Sequence, residues 1–113
     1  MARLKRGELL SPSSTARLLS IMANTRTGPN RLKGGLEAGW TLSHKTGTGQ
    51  VLGGTQAGYN DIGILTAPDG RSYAVAVMIK KTDTPLSTRM NLMHKVVEAT
   101  IDAHEASRPG LTL

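Results

Sequence analysis

Lysine, threonine and glycine follow one another in Lys45-Thr46-Gly47-Thr48-Gly49, the segment of this chain best suited to chemistry. The lysine supplies a cation, the threonine hydroxyls supply hydrogen-bond donors, and the glycines leave a backbone edge open. These groups suit an anionic carboxylate and a carbonyl oxygen that lie along a strand. An ordinary strand end that runs into a glycine turn would contain the same residue types. A phosphate-binding P-loop is not indicated, because its pattern of glycines before the lysine is absent.

The sequence supports neither thiol chemistry nor a metal site. The chain has no cysteine, which excludes thiol catalysis, disulfides and cysteine-based zinc sites. The three histidines are scattered, and His94 with Glu98 forms one helical pair without a third ligand. We therefore expect neither a metal site nor a cofactor.

The positive charge is confined to the first third of the chain. The net charge is +6; seven basic residues up to Lys33 accompany only Glu8, and seven basic and seven acidic residues follow from Gly34 onward. Such an arm could attract phosphates, meet an acidic partner or form a solvated surface. The aromatic residues are too few for a base-stacking platform: Tyr59, Tyr73 and Trp40. We expect no nucleic-acid partner, and a small basic binding module remains an alternative.

Two helices are predicted, one on each side of a central region. Ser11 is a helix N-cap and Pro12 occupies the first helical position, and we place the end of this helix at Gly28-Pro29. The last helix is predicted from Ser87 to His104, with Arg108-Pro109-Gly110 ending it. Its buried stripe is predicted from helical spacing to consist of Met93, Val96, Val97, Thr100 and Ile101.

Three strand-like runs lie between the helices: Trp40–Thr46, Asp61–Thr66 and Ser72–Ile79. The first alternates, with Trp40, Leu42 and His44 on one face, whereas the third is apolar on both faces and should be covered on both. Pro68-Asp69-Gly70 predicts a hairpin. The predicted fold is α+β (αβα layered), with a helix, a three-stranded antiparallel meander and a C-terminal helix.

The 113 residues are enough for one domain or for part of one. Covering both faces of the predicted sheet needs more helices than the chain supplies, and the strand Ser72–Ile79 needs more neighbours. We therefore expect residues 1–113 to be a partial domain. No apolar run approaches the roughly 18 to 20 residues of a membrane span, so no membrane partner is expected.

Several short motifs, in order, closely resemble the C-terminal half of class A β-lactamases. The Lys-Thr-Gly triplet is a known motif of this family. The resemblance covers the chain from about Ala2 to Ala106 and includes Gly7-Glu8-Leu9-Leu10-Ser11, Thr27-Gly28-Pro29, Leu36-Glu37-Ala38-Gly39-Trp40, Lys45–Gly49, Tyr59-Asn60-Asp61-Ile62 and Ala67-Pro68-Asp69-Gly70.

The resemblance implies that the complete domain opens the β-lactam amide through a serine acyl-enzyme and then hydrolyses it. Lys45 would hydrogen-bond a serine of the other half and attract the drug's carboxylate, which the hydroxyl of Thr46 would bind beside Gly47. Thr48 would offer its backbone N–H to the oxyanion hole. Lys45 and Thr48 are thus the predicted catalytic residues.

Two departures from the family concern the same cleft. Many members carry an arginine on the next strand to grip the carboxylate, and here the resemblance puts Tyr59 at that position. Arg31 and Arg89 are the candidates to substitute, and each can also be explained as a surface charge. A histidine, His44, replaces a residue that is often acidic, and we expect it to be packed or exposed rather than catalytic. The connection from Gln50 to Gly58 is longer and richer in glycine than in many members.

The reacting groups of the family are missing from the sequence. No serine has a lysine three residues on, no Ser-x-Asn follows, and no glutamate stands out as the deacylating residue. We expect these groups in a preceding half, and we expect the chain alone to be inactive and to associate with that half or with itself. The full-length parent would be periplasmic or secreted, although this chain shows no signal peptide. Alternatives are a non-catalytic domain and part of a penicillin-binding transpeptidase.

Overall fold

A computed structural model describes residues 1–107 as three helices, a 3-10 helix and four strands. The elements in chain order are α1 (Ala2–Lys5), α2 (Pro12–Ala23), the 3-10 helix (Leu32–Gly35), β1 (Thr41–Thr48), β2 (Val51–Leu52), β3 (Thr55–Thr66), β4 (Ser72–Thr82) and α3 (Leu86–Ala106). The predicted helix stop at Arg108-Pro109-Gly110 lies outside the described residues. No helix in the described part of the chain is both long and apolar enough to cross a membrane.

Helix α2 begins where the sequence predicts and ends earlier. The Ser11 side chain accepts a hydrogen bond from the Ser14 backbone N–H at 3.2 Å, and Pro12 is the first helical residue. The helix stops at Ala23 rather than at Gly28-Pro29. Asn24 is the C-cap, and its side-chain amide donates to the Ser20 carbonyl at 2.8 Å.

The strands form one antiparallel sheet with β3 at its centre. Strand β1 pairs with β3 from Thr41↔Thr66 to Thr48↔Tyr59, and β4 pairs with the other side of β3. The predicted meander is therefore confirmed. A fourth strand, β2, pairs with the first residues of β3, which begins six residues before the predicted Asp61.

The core lies on one face of the sheet, beneath α3. It joins residues in or directly beside β1, β3 and β4 to the 3-10 helix and α3: Leu32, Trp40, Leu42, Tyr59, Leu65, Ala67, Val75, Val77, Met93, Val97 and Ile101. His104 is also buried, and its Nδ1 lies 2.6 Å from the Tyr73 hydroxyl and its Nε2 3.2 Å from the Asp69 carboxylate in the β3–β4 turn. The prediction of the α3 stripe did not include this histidine.

Strand β4 is covered on one face only. Val75 and Val77 are buried, whereas Ala74, Ala76 and Met78 of the same strand are exposed, Met78 by 72%. Within the described residues β4 pairs with β3 alone, so its outer edge is unpaired. The sequence predicted that both faces of this strand would be covered, but in the described residues one of its faces is exposed to solvent.

Candidate functional site

Strand β1 ends in the Lys-Thr-Gly-Thr segment and lies at an edge of the described sheet, because β3 is its only partner. Alternate residues of a strand direct their backbone groups to opposite sides. The N–H of Gly49 donates to the Gly58 carbonyl at 2.7 Å, toward β3, whereas the His44 carbonyl accepts from the Thr25 hydroxyl at 2.9 Å. The carbonyl of Thr46 and the N–H of Thr48 therefore face the open side. We call residues 45–48 on this side the β1 edge.

The side chains of Lys45 and Thr46 leave the strand on opposite faces. Lys45 is exposed on the face away from α3, and its Nζ donates to the Thr46 carbonyl at 2.6 Å. The Thr46 hydroxyl lies 3.1 Å from the Thr27 hydroxyl. Because β1 is an edge strand, a ligand lying along that edge can reach both side chains.

A positive-φ glycine lets the preceding segment approach β1. Gly28 has φ +61°, and a Cβ at this position would lie 2.6 Å from the Thr46 methyl group. Any other residue would be both strained and in collision with Thr46. Gly28 thus permits residues 27–31 to pack directly on the β1 edge.

The guanidinium of Arg31 lies against the end of the β1 edge. It donates to the Asn60 carbonyl at 2.9 Å, to the Gly47 carbonyl at 3.3 Å and to the Thr48 hydroxyl at 2.5 Å. Its central carbon lies 3.9 Å from the centroid of the Tyr59 ring, a cation–π distance. Arg31 thus brings a fixed positive charge to Thr48.

Arg89 approaches the same aromatic ring but is held elsewhere. Its guanidinium carbon lies 5.3 Å from the Tyr59 centroid, and its Nε and Nη2 donate to the Thr84 carbonyl at 3.1 and 2.8 Å. Of the two arginines expected to substitute at Tyr59, the structure places Arg31 at the β1 edge.

A buried histidine–carboxylate pair lies behind the β1 edge and was missed by sequence reasoning. His44 Nδ1 is 2.8 Å from Asp61 Oδ1, with side-chain exposures of 1% and 0%. His44 is therefore packed, one of the two placements expected for it. Its position on the apolar face with Trp40 and Leu42 was the signal for burial, but nothing in the sequence indicated its partner.

The surroundings of Asp61 mainly disfavour the ionised form of its carboxyl group. Burial raises the pKa of this carboxyl, and the opposing hydrogen bond and charge of His44 and the Leu32 N–H, at 3.3 Å, do not cancel the effect. Among the described residues, His44 Nε2 is buried and has no hydrogen-bond partner. His44 Nδ1 carries a proton, because a carboxylate oxygen can only accept a hydrogen bond.

The glycine-rich connection after the β1 edge is a hairpin. Gly53 and Gly54, both at positive φ, join β2 to β3, and Val51 and Leu52 are exposed. The side-chain amide of buried Gln56 donates to the carbonyls of Gly49 and Ala57 at 2.8 and 2.9 Å and so fixes the base of the hairpin.

Acidic residues and histidines do not gather into a metal site in the part of the chain described. No group of three or more such side chains there could hold an ion.

Comparisons with known proteins agree with this fold. The sequence profile of the β-lactamase enzyme family matches residues 1–103. The extended-spectrum β-lactamase PER-1 of Pseudomonas aeruginosa is 49% identical over 82 residues, 73% of this chain and 26% of PER-1. β-Lactamase VEB-1 of the same species is 38% identical over 68% of this chain and 26% of VEB-1.

A solved structure of a β-lactamase from Chitinophaga pinensis superposes with a TM-score of 0.85 at 36% identity, covering 90% of this chain and 38% of that protein. This chain therefore spans about a quarter to two fifths of the length of its relatives. Those relatives are class A β-lactamases. Since the family profile covers nearly the whole sequence, the chain belongs to the β-lactamase enzyme family.

Proposed function

We propose that this chain is the C-terminal portion of a class A β-lactamase and supplies one side of its active site. The complete domain hydrolyses the β-lactam amide, and hence confers antibiotic resistance, through an ester formed on a serine that this sequence does not contain. The observation that carries the proposal is the open β1 edge. It presents a cation, a hydroxyl and a free backbone N–H within one short segment, beside Arg31.

The groups of the β1 edge match two features of a β-lactam: its carboxylate, and the carbonyl oxygen that becomes negative during the reaction. The carboxylate of the drug lies against Arg31 and the Thr46 hydroxyl, with Lys45 adding to the positive potential. The oxygen of the lactam carbonyl accepts a hydrogen bond from the Thr48 N–H, which stabilises the negative charge that forms when the serine attacks. The carbon–nitrogen bond then breaks, the nitrogen takes a proton, and water hydrolyses the ester. Lys45 hydrogen-bonds a hydroxyl contributed by the other half.

The chain alone does not catalyse this reaction, because removal of a nucleophile leaves only residual catalysis. Its partner is the half that carries Ser-x-x-Lys, and its complete domain acts in the periplasm or outside the cell. Support for this assignment comes from the family membership and from the partial coverage of every relative described above.

Complementation tests the proposal. The full chain is co-expressed with the N-terminal part of PER-1 as a separate polypeptide, and the pair is called the two-piece protein. The proposal predicts that benzylpenicillin leaves an acyl adduct on the PER-1 serine, trapped by rapid acid quenching and detected by mass spectrometry, only when this chain is present. A Lys45→Ala chain should assemble and give little adduct. An assembled wild-type pair that neither forms the adduct nor hydrolyses the drug would overturn the proposal.

A further inference from the structure

We propose that the buried His44–Asp61 pair is a positioning device that holds Arg31 at the β1 edge, where it sets the affinity for a carboxylate ligand. This inference rests on the proposed function for its substrate, but its structural part concerns only residues of this chain. Both side chains are sealed from solvent, so neither can touch a substrate.

The pair connects three segments that must be aligned for the site to exist. His44 belongs to β1 and Asp61 to β3, and Asp61 Oδ2 accepts the backbone N–H of Leu32, the residue directly after Arg31. The partner of Asp61 across the strands is Thr46 of the β1 edge. One carboxylate thus fixes the backbone beside Arg31 relative to both strands.

The contacts of Arg31 depend on this alignment. Its guanidinium bonds to the carbonyl of Asn60, the neighbour of Asp61, and to Gly47 and Thr48 on β1. All three oxygens belong to the two strands that the pair ties together. A shift of Leu32 would move Arg31 away from them.

Stability alone is a poor reason for burying this carboxylate. Buried ion pairs are often no better for stability than apolar residues of similar size, because desolvation opposes the attraction. Here one nitrogen of the histidine also lacks a partner in the part of the chain that the structure describes, a further cost. A positioning role explains why such a pair lies directly behind the binding groups.

The test is a double-mutant cycle of Asp61→Asn and Arg31→Ala in the two-piece protein. Asp61→Asn should raise KM for benzylpenicillin roughly tenfold, since a misplaced guanidinium loses charge-assisted bonds, and should leave kcat nearly unchanged. Because both changes act through one guanidinium, the double variant should have the KM of Arg31→Ala alone. Additive effects, or a loss of active protein with unchanged KM, would overturn the inference.

Asp69→Asn is the matched control, because it also removes a carboxylate that faces a buried histidine, His104, in the β3–β4 turn. It should leave KM unchanged. If Asp61→Asn fails to assemble, His44→Leu serves as the second variant, since its side chain is apolar and cannot donate to Asp61. His44→Leu should raise KM, and a His44→Leu variant with wild-type KM would overturn the inference.

A readout independent of activity separates failure of the inference from failure of the proposed function. The Tyr59 ring should shift the NMR signals of the Arg31 δ-protons upfield, because the guanidinium lies over that ring. In the assembled protein, or in the full chain if no hydrolysis occurs, Asp61→Asn should abolish this shift. A retained shift would overturn the inference even if the protein is an active β-lactamase.

Discussion

Arg31 lies across the ring of Tyr59, with its guanidinium carbon 3.9 Å from the ring centroid. The two residues are 28 positions apart in the sequence. The sequence predicts Tyr59 at the strand position where many members of the family carry an arginine, and the ring forms a platform for an arginine that arrives from another segment. The cation is thus supplied from the 3-10 helix side rather than from the strand.

Replacing Arg31 should weaken substrate binding. Arg31→Ala in the two-piece protein is expected to raise KM for benzylpenicillin roughly 10- to 100-fold, because charge-assisted bonds to a carboxylate are lost. Arg31→Lys keeps the charge but loses the planar fork, so an intermediate KM is expected. Arg89→Ala is the control and should change KM far less. Equal effects of the two alanine variants would contradict the assignment of Arg31.

Removing the backbone N–H of Thr48 should reduce the rate rather than the affinity. Proline at this position lacks that N–H, and proline is tolerated in edge strands where the N–H points outward. We expect Thr48→Pro to lower kcat about 10²- to 10³-fold, the usual cost of losing one oxyanion-hole donor. Thr48→Ala keeps the N–H and should retain most of kcat. A Thr48→Pro variant with normal kcat would exclude this N–H from the oxyanion hole.

The chain by itself should associate with other copies. The exposed face of β4 presents Met78, and the outer edge of the strand is unpaired, a combination that promotes aggregation. Sedimentation should show species larger than a monomer whose share grows with concentration. Met78→Lys should reduce that share more than Leu92→Lys on α3. A monomer with a sharp, concentration-independent thermal transition would contradict this prediction.

Asp69 should make the protein sensitive to acid. The Arg71 backbone N–H, and after it the charges of His104 and Arg71, lower the pKa of the Asp69 carboxyl below its ordinary 3.8. Because the folded pKa is depressed, the stabilisation is present above the ordinary pKa and is lost as pH falls through the folded value. Carboxyl ¹³C titration of the two-piece protein should give an Asp69 midpoint below 3.8.

The Arg71→Ala variant tests the cause of the shift. It keeps the backbone N–H, so it should raise the Asp69 midpoint only part of the way toward 3.8. Full recovery in this variant would show that the side-chain charge, rather than the N–H, is responsible.

Local patterns in the sequence predicted most of the fold. Alternation placed Leu42 and His44 on the buried face of β1, Ser11 marked the start of α2, and Pro68-Asp69-Gly70 marked the hairpin. The start of β3 was missed because Thr55 to Asn60 is polar and glycine-containing, and only pairing with β2 and β4 makes it a strand. Pairing of distant segments leaves no periodic signal.

The candidate site was also predicted only in part, because some of its contacts join distant segments. Lys45 and Thr48 are recognisable as candidates from a short motif, because both lie in one short segment of a single strand. The contact of Arg31 with Thr48 and the pairing of His44 with Asp61 join residues 17 positions apart. The first depends on how the segment before the 3-10 helix packs on β1, and the second depends on the register of β1 with β3. The sequence encodes neither of them locally.

Hydrolysis of benzylpenicillin by the two-piece protein tests the central claim most directly. The wild-type chain mixed with the N-terminal part of PER-1 should turn over the drug, whereas each polypeptide alone should not. Lys45→Ala should reduce the rate strongly at equal assembly. Hydrolysis by this chain alone, or an assembled pair without any turnover, would contradict the claim that its β1 edge is one side of a β-lactamase active site.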